Sequence, residues 1–140
     1  MSSSLGRYVV ETTKPLLDRL GVKPGAKVAL VNIDGADFVK LLQERTSDIS
    51  RGKPRTPCDI VFVGADDAHE LVERLRIVKR WIEPNGAVWV IRPKGPSSPL
   101  KDTDAIQAGL DAGLVDNKIA SFSESHGAMR FVYRLADRPK

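Results

Sequence analysis

Metal-ligating and nucleophilic side chains are scarce in this chain. It has one cysteine, Cys58, and two histidines, His69 and His126, in 140 residues. A single thiol excludes an internal disulfide framework and a cysteine-built metal site. Aromatic residues make up only 6% of the chain, and no apolar run approaches the ~18 residues that read as a membrane span. There is no Gly-x-Ser-x-Gly elbow and no phosphate-binding P-loop, so two common routes to hydrolysis and phosphoryl transfer have no signature here. Residues 1–6 carry neither a basic n-region nor an apolar h-region, so a secretory leader is not expected and the expected compartment is a bacterial-type cytoplasm. Residues 1–4 are expected to be disordered.

What is present is ordinary for a globular domain: 41% hydrophobic and 29% charged residues. Twenty-two Lys+Arg against 18 Asp+Glu give a net charge of +4. The cations are spread along the chain. The densest run, Arg51-Gly52-Lys53-Pro54-Arg55, has three charges in a Pro/Gly-rich stretch and reads as a solvated loop. Nucleic-acid binding therefore rests on net charge alone, without a basic cluster interleaved with aromatics. There is no internal repeat and no linker-like composition break, so residues 1–140 read as one domain.

Three segments are apolar almost throughout: Val28–Ile33, Ile60–Gly64 and Ala87–Ile91. Strands covered on both faces look like this. Between them lie helical stripes. Pro15 near the start and Gly21 past the end bracket a short helix. Phe38, Val39, Leu41 and Leu42 give a second, and Leu71, Leu75, Val78 and Ile82 a third that starts at Asp66-Asp67 and is stopped by Glu83-Pro84-Asn85-Gly86. Asp102–Gly113 reads as a fourth, although Gly109 weakens it by about 1 kcal/mol. Lys118–Ser123 and Ala128–Leu135, joined by Glu124-Ser125-His126-Gly127, read as an antiparallel hairpin. Residues 46–57 show no period and suit either a short edge strand or a loop. Strands alternating with helices demand a parallel sheet, here a three-layer Rossmann-like α/β sandwich with a C-terminal antiparallel hairpin.

That order resembles the class I methyltransferase fold, whose sheet also ends in an antiparallel hairpin after a parallel core. The resemblance implies a sheet shortened on the side of the second and third strands. Specific stretches sharpen it. Pro15-Leu16-Leu17 with Leu20-Gly21-Val22-Lys23-Pro24-Gly25 is one. Trp89-Val90-Ile91-Arg92-Pro93-Lys94, Ala112-Gly113-Leu114-Val115-Asp116-Asn117-Lys118 and Met129-Arg130-Phe131-Val132 are the others. Together they are similar to a family of small bacterial proteins of unknown function with a truncated methyltransferase-like fold. The sequence departs from that pattern after Glu124, with His126 where such proteins tend to carry an aromatic. The resemblance implies a fold and little chemistry.

A methyl-donor site needs a glycine-rich turn after the first strand, so that the backbone can approach the ligand. Here Asn32-Ile33-Asp34-Gly35-Ala36-Asp37 has one glycine. The site also wants an acid at the end of the second strand to grip the ribose, and between Arg45 and Asp59 the only acid is Asp48. S-adenosylmethionine is thus a disfavoured cofactor. Asp34 and Asp37 could pair for acid–base work at the carboxyl end of a strand, but an N-cap and a first-turn acid explain them better. His69-Glu70-Leu71-Val72-Glu73 lacks the second histidine of a zinc helix, and Glu70 with Arg74 reads as a helix surface pair. Cys58 reads as a buried, inert thiol. The loop Arg92-Pro93-Lys94-Gly95-Pro96-Ser97-Ser98 leaves a buried strand with two cations and two hydroxyls, a set that could hold a phosphate or carboxylate.

The candidate ligand residues are therefore Asp34, Gly35, Asp37, Arg92, Lys94, Ser97 and Ser98, with a small anion as ligand. The first functional reading is a non-catalytic binding or interaction module, with self-association as one way of acting. The alternatives are a small enzyme dependent on S-adenosylmethionine or another nucleotide, and a weak nucleic-acid-binding module.

Overall fold

The computed structural model describes residues 15–33, 35–96 and 98–134; Asp34, Ser97 and residues 1–4 lie outside them. Its elements run α1 (Leu16–Arg19), β1 (Val28–Val31), α2 (Ala36–Gln43), β2 (Ile49–Arg51), β3 (Cys58–Gly64), α3 (Ala68–Val78), a 3-10 turn (Lys79–Trp81), β4 (Ile82–Pro93), α4 (Asp102–Asp111), β5 (Leu114–Ser121) and β6 (His126–Tyr133). The six strands form one sheet in the order β2-β1-β3-β4-β6-β5. β2, β1, β3 and β4 are parallel, and β6 pairs antiparallel with both β4 and β5.

Side-chain alternation divides the core into two layers. Val28, Leu30, Ile60, Phe62, Trp89 and Ile91 pack with Leu17 of α1 and with Phe38 and Leu42 of α2. Ala29, Val61, Val63, Val88 and Val90 pack with Leu71, Leu75 and Val78 of α3 and with Ala105 and Ala108 of α4. Helices on both faces are what continuous apolar strands require. Trp89 is fully buried, and its indole N–H donates to the Leu20 carbonyl at 2.9 Å, which ties β4 to the end of α1.

Element boundaries depart from the sequence expectation in several places. β1 ends at Val31 rather than Ile33, because Asn32 takes a left-handed conformation (φ 57°) that no strand continues. β4 starts at Ile82, not Ala87. The stretch Glu83–Gly86, expected to stop a helix, is instead an irregularity inside β4: Ile82 pairs with Cys58 and Ala87 with Ile60, five residues advanced against two. Gly86 is needed there, since a Cβ would come within 2.8 Å of the Asp59 carbonyl oxygen. The hairpin is longer than expected, with β5 starting at Leu114, and Asn117 sits in a bulge between Asp116 and Lys118.

Residues 46–57 do contain an edge strand, β2, three residues long. Six residues, 52–57, then carry the chain from β2 past β1 to β3 with no helix. This is the side on which the sheet was expected to be shortened.

Candidate functional site

Ligands of open α/β sheets bind outside the carboxyl ends of the strands, where successive connections leave in opposite directions. Here the chain passes from β1 to β2 on one side and then to β3 on the other, so the switch falls between β1 and β3. A cleft of about 520 Å3 opens there. Its floor is Asn32 and Ile33 after β1, Gly64, Ala65 and Asp66 at the end of β3, and Ile91 of β4. Phe122, Ser123, Ser125 and His126 of the hairpin form the wall.

The strand ends are tied together by hydrogen bonds. The Asn32 side-chain amide donates to the Gly64 carbonyl at 3.3 Å, and the Arg74 guanidinium donates to the same oxygen at 2.8 Å. A Cβ on Gly64 would run into the Asn32 carbonyl oxygen, so the close approach of β1 and β3 at the switch depends on that glycine. The Ala65 amide donates to Ile91 at 3.2 Å, and the Lys94 amide donates to Ser125 at 3.0 Å, which anchors the hairpin turn beside β4. In the wall, Ser125 Oγ lies 2.7 Å from His126 Nδ1, and the His126 amide donates to Ser123 Oγ at 3.1 Å. Phe122 packs edge-on against Phe38, with ring centroids 4.8 Å apart, and so fixes the wall to α2.

Of the residues singled out from sequence, Gly35, Asp37, Arg92, Lys94 and Ser98 are not among the cleft's described lining residues, and Asp34 and Ser97 lie outside the described residues. Gly35 is the N-cap residue of α2 in place of Asp34, and Asp37 is exposed in the first turn. Arg92 turns inward: it ion-pairs with Asp102 and donates to the Leu100 carbonyl at 2.9 Å and the Pro93 carbonyl at 3.3 Å. Burial pushes its guanidinium below the usual arginine range. Ser98 is buried, and its hydroxyl bridges the Pro93 and Leu100 carbonyls at 2.7 and 3.0 Å. Lys94 donates to Ser121 Oγ at 3.1 Å. Arg92 and Ser98, two of the groups read as ligand donors, thus brace the connection from β4 to α4, and Lys94 ties it to β5.

Other assignments take the expected form. Asp67 caps α3 by accepting from the Glu70 amide at 2.9 Å, and Glu70 pairs with Arg74 at 3.4 Å. Cys58 is buried, and burial pushes its thiol up. Among the described residues no group of three His, Cys, Asp or Glu side chains gathers to hold a metal, and no helix is long and apolar enough to cross a membrane.

A parallel core, a C-terminal antiparallel hairpin and a crevice at the strand switch define a class I methyltransferase-like α/β fold. Solved structures bear this out at low identity. The chain is similar to an S-adenosylmethionine-dependent methyltransferase from Aquifex aeolicus (15% identity, TM-score 0.64, 83% of this chain and 86% of that one). It is also similar to CalO1, a methyltransferase in calicheamicin biosynthesis in its S-adenosylhomocysteine-bound form (16%, 0.63, 92% and 56%), and to the pyocyanin biosynthetic protein PhzM (10%, 0.67, 84% and 53%). It spans just over half the length of these last two. No protein-family model matches the sequence, and no curated protein matches it.

Proposed function

We propose that the chain is a ligand-binding module of methyltransferase-like architecture that does not transfer methyl groups. The end of β2 carries this reading. A methyl donor's ribose needs a carboxylate at the carboxyl end of that strand, and here the strand ends in Arg51, followed by Gly52 and Lys53. The one acid nearby, Asp48, precedes the strand, and its carbonyl accepts from the amide of Val28 at the start of β1. It therefore stands at the opposite end of the sheet from the cleft. The turn after β1 adds to this, with Asn32 held on Gly64 where a run of glycines would be needed. A shared fold does not carry a shared chemistry.

A second reading, an enzyme that uses S-adenosylmethionine, is favoured by the cleft itself. Its volume of about 520 Å3 lies in the range of small-molecule sites, and Asp66 and His126 bring a carboxylate and an imidazole to it. Calorimetry separates the two. S-adenosylmethionine and S-adenosylhomocysteine are expected to bind more weakly than about 100 μM, roughly −5.5 kcal/mol, or not at all. Low-micromolar binding of either would overturn the non-catalytic reading in favour of the enzyme.

A further inference from the structure

The run Arg51-Gly52-Lys53-Pro54-Arg55 looks like a solvated loop on its own, but the fold makes it one wall of a groove of about 640 Å3, away from the cleft. Lys27, just before β1, and Trp81, just before β4, join it from distant parts of the chain. Asp48 is the groove's only acid among its described lining residues, so four cations face one carboxylate, an excess of three positive charges (4 − 1). Pro54 is buried while Arg51, Lys53 and Arg55 are exposed, so the loop is pinned to the protein with its cations outward.

Many cations elsewhere are engaged, although the side chains of Lys23, Lys40, Arg80, Arg130 and Arg134 are also without a hydrogen bond or ion pair among the described residues, so the groove stands out by gathering four such cations beside a tryptophan. Arg45, Arg74, Arg76 and Arg92 are ion-paired, and Lys79, Lys94, Lys101 and Lys118 are hydrogen-bonded. The side chains of Lys27, Arg51, Lys53 and Arg55 have no such partner among the described residues. Trp81 is equally uncommitted. It belongs to neither apolar cluster of the core, and its indole N–H has no acceptor among the described residues. A large, half-buried ring left out of the core and set among unpaired cations suits a stacking platform in a cationic groove.

We propose that this groove binds single-stranded nucleic acid, with phosphates on Lys27, Arg51, Lys53 and Arg55 and a base stacked on Trp81. Inorganic polyanions would use the cations but not the ring. A duplex covers the faces of its bases, and a bilayer does not fit a concave surface. The groove shares no described lining residue with the cleft, although Arg51 also ends β2 at the carboxyl edge of the sheet.

The test uses fluorescein-labelled oligo(U) and oligo(dT) of about 12 nucleotides, a length within single-strand site sizes. Anisotropy should show binding of one or both, with the log of affinity falling by about 2 to 3 per log unit of salt, as four phosphate contacts on a single strand require. Preference between the two oligomers identifies RNA or DNA. Trp89 is buried and Trp81 is the only other tryptophan, so quenching of intrinsic fluorescence on binding unlabelled oligomer reports stacking on Trp81. Trp81→Ala should weaken binding by about 5- to 150-fold. Trp81→Phe should bind well and lose the quenching. Arg51→Glu with Arg55→Glu, both on exposed side chains, should abolish binding with an unchanged circular dichroism spectrum. The proposal is overturned by no binding at low salt, by equal affinity for inorganic polyphosphate, duplex or anionic vesicles, or by binding that neither quenches Trp81 nor weakens in Trp81→Ala.

Discussion

Gly109 sits inside α4, where glycine is the poorest helix former after proline. Its place is explained by what lies opposite. A Cβ there would run into the ring of Phe131, a fully buried residue of β6. The missing side chain lets the helix lie on the hairpin. Gly109→Ala would gain about 1 kcal/mol of helix propensity and lose about 1–3 kcal/mol to overpacking. A net loss of about 1 kcal/mol is expected in urea unfolding. A more stable variant would mean that Phe131 yields and that the glycine has no packing role. The sequence shows only the weakness of such a position, because Phe131 stands far along the chain.

At the scale of elements, the Arg92–Ser98 connection shows how a strand-to-helix loop is held. Arg92 joins the end of β4 to Leu100 and to Asp102 in the first turn of α4, and Ser98 closes the same circuit. Arg92→Ala should therefore cost about 1–3 kcal/mol of stability with no ligand present, since charged hydrogen bonds to carbonyls are lost. Sulfate titration of the same variant tests the competing role. An unchanged stability combined with loss of sulfate stabilisation would make the loop an anion site. β1, β3 and β4 could be read from sequence because buried parallel strands are continuously apolar. β2 could not, since three residues at a half-exposed edge leave no period. The strand ends that floor the cleft followed from those readable strands. Its wall did not, because the position of Ser123, Ser125 and His126 depends on how far β4 and β6 pair.

For the molecule as a whole, two buried groups among the described residues, Cys58 and Tyr133, tie stability to alkaline pH. Burial raises the Cys58 thiol above its ordinary value of 9.0 and the Tyr133 phenol above 10.0. The unfolded chain releases both protons at lower pH than the folded one. Their contribution is complete below about pH 9 and is lost as pH rises through the folded values. Cys58→Ala should show a shallower fall in urea midpoint between about pH 8 and 10 than the unmodified chain. Equal slopes would assign the alkaline loss to other groups.

The cleft is assembled from Asn32, Gly64, Ile91 and His126, which come from nearly the whole length of the described chain. The β5–β6 hairpin is local and closes a short loop, whereas β1, β3 and β4 meet only after long ones. The shorter loop closure favours forming the hairpin wall before the floor. Any molecule that settles in the cleft acts as a late latch: it holds the finished fold shut against opening and gives no help in reaching it.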